Sequence, residues 1–269
     1  MDAETDFEAG LAAYREGDLA EARTLFGRAG EAGKQQGAVF HCYLTANRFD
    51  WDEGLALLRR IAPNRADCAR QLALIEAMTD TVPPGEVLSE TPQVTLFRNL
   101  FTPAECTYLA EAARPMMARS TIISNGRQIP DPMRNSDSAA FPLLIENPAV
   151  HALNQRIAAA SGTDATQGEP LQILRYRRGG EYRPHFDAIP GLANQRILTM
   201  LVWLNTGFEG GETQFPKVGL TLKGEPGDAL LFRNTLPDGS RDPATIHAGL
   251  PVTAGEKLIA SRWIRERAL

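Results

Sequence analysis

The chain has 269 residues, 43% hydrophobic and 23% charged. That is enough to bury one large core or two smaller ones, and too apolar for intrinsic disorder or a fibrous architecture. Lys and Arg number 28 against 33 Asp and Glu, a net charge of −5, so no basic excess is available to neutralise a phosphate backbone and nucleic acid is not expected as a partner. No apolar run approaches the roughly 20 residues a bilayer span needs. The start, Met1 to Phe7, is acidic instead of a basic segment leading into an apolar one, so a cytoplasmic protein without a membrane partner is expected. Cys42, Cys68 and Cys106 are scattered and lack CxxC pairing, and read as reduced, packed thiols.

Residues 1–80 read as helices, because apolar residues recur at helical spacing among Ala, Leu, Glu and Arg. A first unit runs from Phe7 through Ala13 and Tyr14, turns at Gly17-Asp18, and continues through Ala22, Phe26 and Ala29. Gly54, Leu58 and Ile61 repeat that spacing 32 residues later (54−22), close to the period of helical-hairpin arrays. The segment resembles tetratricopeptide or Sel1-type repeats, which implies a surface for a protein partner; a plain helical extension is the alternative. The run Asp80-Thr81-Val82-Pro83-Pro84-Gly85 cannot continue a helix, so 81–92 is read as a linker and 93–269 as a second domain.

Within that domain Val94-Thr95-Leu96-Phe97 reads as a strand, and Thr102-Pro103-Ala104-Glu105 opens a helix with Thr as N-cap and Pro at the first helical position. Short apolar runs follow at 171–176, 197–204, 219–222, 229–232 and 258–264; such spacing predicts an antiparallel sandwich or barrel. The polar loop 234–243 reads as a solvated connection.

Tyr182-Arg183-Pro184-His185-Phe186-Asp187 carries the chemistry. On a strand, His185 and Asp187 point to one face, and two such groups either bind a metal or form a surface pair. With only four histidines in the chain, His247 is the best third ligand. Two imidazoles and a carboxylate suit a non-haem Fe(II) site with open positions, or zinc. Lys257 enters an apolar strand, where it either snorkels at the strand end or points inward to hold the distal carboxylate of a dicarboxylic cosubstrate.

From about Val94 onward the chain resembles the 2-oxoglutarate- and Fe(II)-dependent dioxygenases, and within them the prolyl 4-hydroxylase-like group. The resemblance rests on Leu171 to Tyr176, Gly179 to Asp187, Arg196 to Asn205, Gly210-Gly211-Glu212-Thr213-Gln214-Phe215-Pro216, and then His247 and Lys257. It implies an α+β fold, a double-stranded β-helix (jelly roll) with buttressing helices, here preceded by a small all-α domain. It further implies Fe(II) on His185, Asp187 and His247, and 2-oxoglutarate held by Lys257 with Tyr176 and Thr199 beside it. O2 would be the second cosubstrate and ascorbate an optional reductant. Tyr182, Trp263 and Arg134 match positions on the substrate side. The implied activity is hydroxylation of an unactivated C–H bond on a prolyl or other residue of a peptide or protein, giving succinate and CO2. A free amino acid or peptide natural product is the alternative substrate; an inert scaffold is the non-enzymatic one. Two departures stand out: Trp203 replaces the tyrosine common before Leu-Asn, and the expected lid, Ser124 to Ser138, matches only loosely.

Overall fold

The computed structural model describes residues 2–79, 81–124 and 126–269. Met1 and Asp80, the ends of the expected helical segment, and Asn125, in the expected lid, lie outside them. The chain clusters into two compact units, Met1–Thr79 with Phe141–Ala152, and Asp80–Ala140 with Leu153–Leu269.

The first unit holds α1 (Ala3–Glu16), α2 (Leu19–Glu31), α3 (Gln35–Arg48), α4 (Trp51–Ile61) and α5 (Ala66–Ala77). Aspartates begin three of them: Asp2, Asp18 and Asp50 accept the main-chain N–H three residues on, each cap contributing about 1 kcal/mol. Gly17 ends α1 at φ 84°, a left-handed turn that suits glycine. Ala22 and Gly54 occupy matching positions in α2 and α4, as the spacing of 32 predicts. Gly54 lets α4 approach α3 so closely that a Cβ there would stand 2.5 Å from Ala46 Cα. Phe7, Leu25, Phe26 and Leu44 form one core with Leu144, so 141–152, expected with the second domain, groups with these helices. The reason is apolar packing by Leu144, which linear order does not reveal.

The second unit begins with β1 (Gly85–Glu90) and β2 (Gln93–Phe97), so part of the expected linker is strand, paired antiparallel from Gly85↔Phe97. Next come α6 (Pro103–Ala113), β3 (Ala118–Arg119), β4 (Thr121–Ser124), β5 (Arg127–Pro130), β6 (Asp137–Ala140) and α7 (Pro148–Ser161), whose first residues cluster with the first unit. Thr102 and Glu105 close a reciprocal capping box on α6, and buried Glu105 pairs with Arg156 of α7 at 2.7 Å. The remaining strands are β7 (Gln172–Arg177), β8 (Tyr182–His185), β9 (Arg196–Trp203), β10 (Glu209–Gly210), β11 (Thr213–Phe215), β12 (Leu220–Leu222), β13 (Ala229–Arg233), β14 (His247–Gly249), β15 (Val252–Ala254) and β16 (Glu256–Arg265).

An eight-stranded sheet runs β1-β2-β13-β9-β16-β7-β6-β3, and a four-stranded sheet runs β12-β11-β14-β8. Val94, Leu96, Leu174, Trp203, Leu230, Phe232 and Ile259 from the first meet Phe215 from the second in one core. This is the jelly roll, and it arises because alternate residues of each strand are apolar and must face another layer. Cys42, Cys68 and Cys106 are free and buried; burial pushes their thiols up to about 12, 11 and 12, so they are unreactive near neutral pH.

Candidate active site

His185 ends β8 and His247 begins β14, and the two are register partners across that antiparallel pair, with ring centroids 4.2 Å apart. Asp187 lies beyond the end of β8, in a bend, so the turn, not strand alternation, aims its carboxylate at the imidazoles. His185 Nε2 is 3.6 Å from Oδ1 and His247 Nε2 is 3.7 Å from Oδ2. The three side chains each offer a ligand atom within 4.8 Å of the others.

The tautomers follow from the hydrogen bonds. His185 Nδ1 donates to Arg183 O at 2.8 Å and His247 Nδ1 to Thr245 O at 2.9 Å. Carbonyl oxygens only accept, so each ring carries a proton on Nδ1 and turns its Nε2 to the carboxylate, the arrangement metal-binding histidines adopt. Burial and the neighbouring His247 lower His185 to about 4, against the pull of Asp187, so its imidazole is neutral at pH 7. Burial disfavours the ionised Asp187, but His247, His185 and the Thr199 hydroxyl outweigh it and hold the carboxyl below its ordinary value. Two imidazoles and one carboxylate are a donor set that fits Fe(II).

A cleft opens onto this triad and is lined by Leu174, Tyr176, Tyr182, Thr213, Lys257 and Trp263 among others. Lys257 points inward: it pairs in register with Tyr176 across β16 and β7, is 3% exposed, and donates to Gly211 O at 2.6 Å. Burial lowers it to about 8, with Glu212 pulling up and Lys223 pushing down. A buried cation in a cleft fits the distal carboxylate of 2-oxoglutarate, because an anion is what offsets its desolvation. Trp263 lines the cleft with its indole N–H buried and turned toward Asp187, whose carboxyl it helps to hold low. On the outer side Tyr182 stacks on His185, centroids 3.4 Å apart, and the Arg134 guanidinium lies 5.2 Å over the Tyr182 ring while pairing with Asp131 at 3.4 Å.

Thr199, expected beside the cosubstrate, is fully buried and donates to Asp187 Oδ2 at 2.7 Å. Trp203 is likewise buried in the core and away from the cleft lining. Thr213 and Asn234 were not singled out by sequence reading. Thr213 lies inside the quoted Gly210 to Pro216 motif, whereas Asn234 opens the loop read as solvated and carries no local signal.

A jelly roll with two imidazoles and a carboxylate at the mouth of a cleft, and a cation buried within it, is the architecture of a non-haem Fe(II) oxygenase. Comparison with known proteins agrees. Residues 171–265 match the family model of the 2OG-Fe(II) oxygenase superfamily. Prolyl 4-hydroxylase 1 of Arabidopsis thaliana is 36% identical over 205 residues, 68% of this chain and 72% of that protein. The structure of the viral collagen prolyl hydroxylase of Paramecium Bursaria Chlorella virus-1 in its 2OG complex aligns with a TM-score of 0.51 at 27% identity. It covers 64% of this chain and 95% of that one. A Trichoplax adhaerens prolyl hydroxylase, solved with a hypoxia inducible factor peptide fragment, shares the fold at a TM-score of 0.52 and 14% identity, over 66% of this chain and 85% of that one. The chain belongs to the 2OG-Fe(II) oxygenase superfamily, among its prolyl 4-hydroxylases. It is therefore a dioxygenase that works with Fe(II), 2-oxoglutarate and O2. Among the described residues no helix is long and apolar enough to cross a membrane.

Proposed function

We propose that the protein hydroxylates a prolyl residue of a peptide or protein substrate. The observation that carries this is the single cleft that joins the His185–Asp187–His247 triad to buried Lys257; the relatives named for prolyl hydroxylation support the residue class. When bound, Fe(II) with 2-oxoglutarate and O2 supplies the C–H hydroxylation, with succinate and CO2 as coproducts.

The chain's own residues do the rest. His185, Asp187 and His247 hold the metal, and the backbone carbonyls of Arg183 and Thr245 keep each imidazole's Nε2 turned toward it. Lys257 holds the distal carboxylate of 2-oxoglutarate, and Tyr176 packs beside it, 5.6 Å from Nζ to ring centroid. Tyr182, Arg134 and Trp263 form the substrate side: Tyr182 and Trp263 offer ring faces and edges to an apolar pyrrolidine, and Arg134 offers a charged donor to a peptide carbonyl. The helical unit, with a core of its own, recruits the protein substrate.

Anaerobic titration of the full chain with Fe(II) and then 2-oxoglutarate tests the site. A visible charge-transfer band saturating at one equivalent, and absent in His247→Ala, is expected. Under air, proline-containing peptides should gain one oxygen atom by mass spectrometry, with succinate formed in equal amount. A band without any oxygen gained by a peptide would overturn the peptidyl reading, and absence of the band in the folded protein would overturn the site.

A further inference from the structure

Asn234, the first residue of the polar loop 234–243, is 0% exposed. It follows β13 directly, and its main chain is held at both ends: its N–H donates to Ile197 O at 2.8 Å, and its carbonyl accepts from the Asp242 N–H at 3.0 Å. Its side-chain Nδ2 donates to Thr199 Oγ1 at 2.9 Å, and Thr199 donates in turn to Asp187 Oδ2 at 2.7 Å. A threonine hydroxyl has one hydrogen to give. With an amide N–H occupying the acceptor side of that oxygen, the hydrogen is committed to the carboxylate. Among the described residues Asn234 Oδ1 is buried with no hydrogen-bond partner, and the side-chain bond Asn234 makes there is the one to Thr199. The same loop reaches the motif from a second side, where the Arg241 guanidinium lies 4.1 Å over the ring of Phe186, the residue between His185 and Asp187. A backbone bridge between Thr235 and Arg241 ties the two approaches together.

We propose that Asn234 is a positioning residue for the Asp187 carboxylate, acting through Thr199, so that the loop 234–243 sets how tightly the triad holds its metal. The proposal rests on the reading of His185, Asp187 and His247 as the metal site. Its physical basis is orientation: a carboxylate free to rotate about its Cβ–Cγ bond loses affinity that a bonded one keeps, and partners behind a ligand are typically worth about ten- to hundredfold in metal binding.

The test is Mn(II) binding to the full metal-free chain, followed by the loss of the free-ion signal in electron paramagnetic resonance, with no turnover involved. Thr199→Val and Asn234→Ala should each weaken Mn(II) binding by about tenfold or more, and the double variant should be no weaker than Thr199→Val alone. Thr199→Ser, which keeps the hydroxyl, should restore wild-type affinity. If Asn234→Ala does not fold, Asn234→Ser, whose hydroxyl is too short to reach Thr199, is read in its place. Unchanged Mn(II) affinity in the Asn234 variant would overturn the proposal, even if its melting temperature fell, because that pattern marks a merely structural residue. So would losses that multiply in the double variant, because they would mean the two residues act independently. Wild-type protein that binds Mn(II) no better than His185→Ala would instead overturn the metal site itself, and the proposal with it.

Discussion

Replacing Lys257 by Met should make the ligand-free protein more stable at neutral pH while removing its grip on 2-oxoglutarate. Lys257 falls from an ordinary 10.5 to about 8 because it is buried. A lowered folded-state value means that the unfolded chain binds the proton more tightly, so stability rises with pH between about 8 and 10.5 and the whole penalty is present below about 8. At about 1.4 kcal/mol per pKa unit the penalty is roughly 3 kcal/mol at pH 7, of which about 2 is recovered by pH 9.5. Met fills nearly the same volume without the charge but leaves Gly211 O without its donor, which costs about 1–2 kcal/mol. A net gain of about 1–2 kcal/mol at pH 7 is therefore expected in urea unfolding. The wild-type minus variant difference should shrink to about zero by pH 9.5; taking this difference cancels every other titrating group. By calorimetry, 2-oxoglutarate affinity should fall by about two to three orders of magnitude, as when one partner of a buried ion pair is lost. A difference that stays constant from pH 7 to 9.5 would refute the account of Lys257 as a buried cation awaiting an anion.

His185→Ala should abolish the charge-transfer band and succinate formation together while leaving the melting temperature of the metal-free protein within a few degrees. Retained turnover would remove His185 from the ligand set. Trp203→Ala empties a fully buried position between the sheets and should cost about 3–5 kcal/mol in denaturant unfolding; a loss under 1 kcal/mol would mean the core closes over the gap. Gly54→Ala forces a Cβ to 2.4 Å from Ala46 Cβ and should destabilise the helical unit by about 1–3 kcal/mol. Circular dichroism of that variant should show a lower helical melt, and an unchanged melt would show that α3 and α4 separate without cost.

Periodicity and punctuation carry the expectation of two parts. The Thr102-Pro103 start of α6 is a local signal that the structure bears out, and Ala22 and Gly54, 32 residues apart, both lie in helices; the Pro83-Pro84-Gly85 break leads at once into strand β1 instead of a linker reaching residue 92. Local signals also carried His185, Asp187, His247 and Lys257, because a family motif keeps chemical residues at fixed offsets and scarce histidines leave few choices. Tertiary structure decided the rest. Residues 141–152 join the helical unit through the packing of Leu144, and no local pattern marks a segment whose partner lies about a hundred residues away. That Thr199 stands against Asp187 is decided by the fold, because the hydrogen bond joining them spans 12 residues. Asn234 reads as an ordinary loop residue until β9 and β13 are paired, since a hydrogen bond spanning 35 residues exists only once the sheet has formed. Sequence specifies which residues alternate and which are reactive, whereas the groups that stand behind them depend on sheet order and register, which only the folded chain supplies.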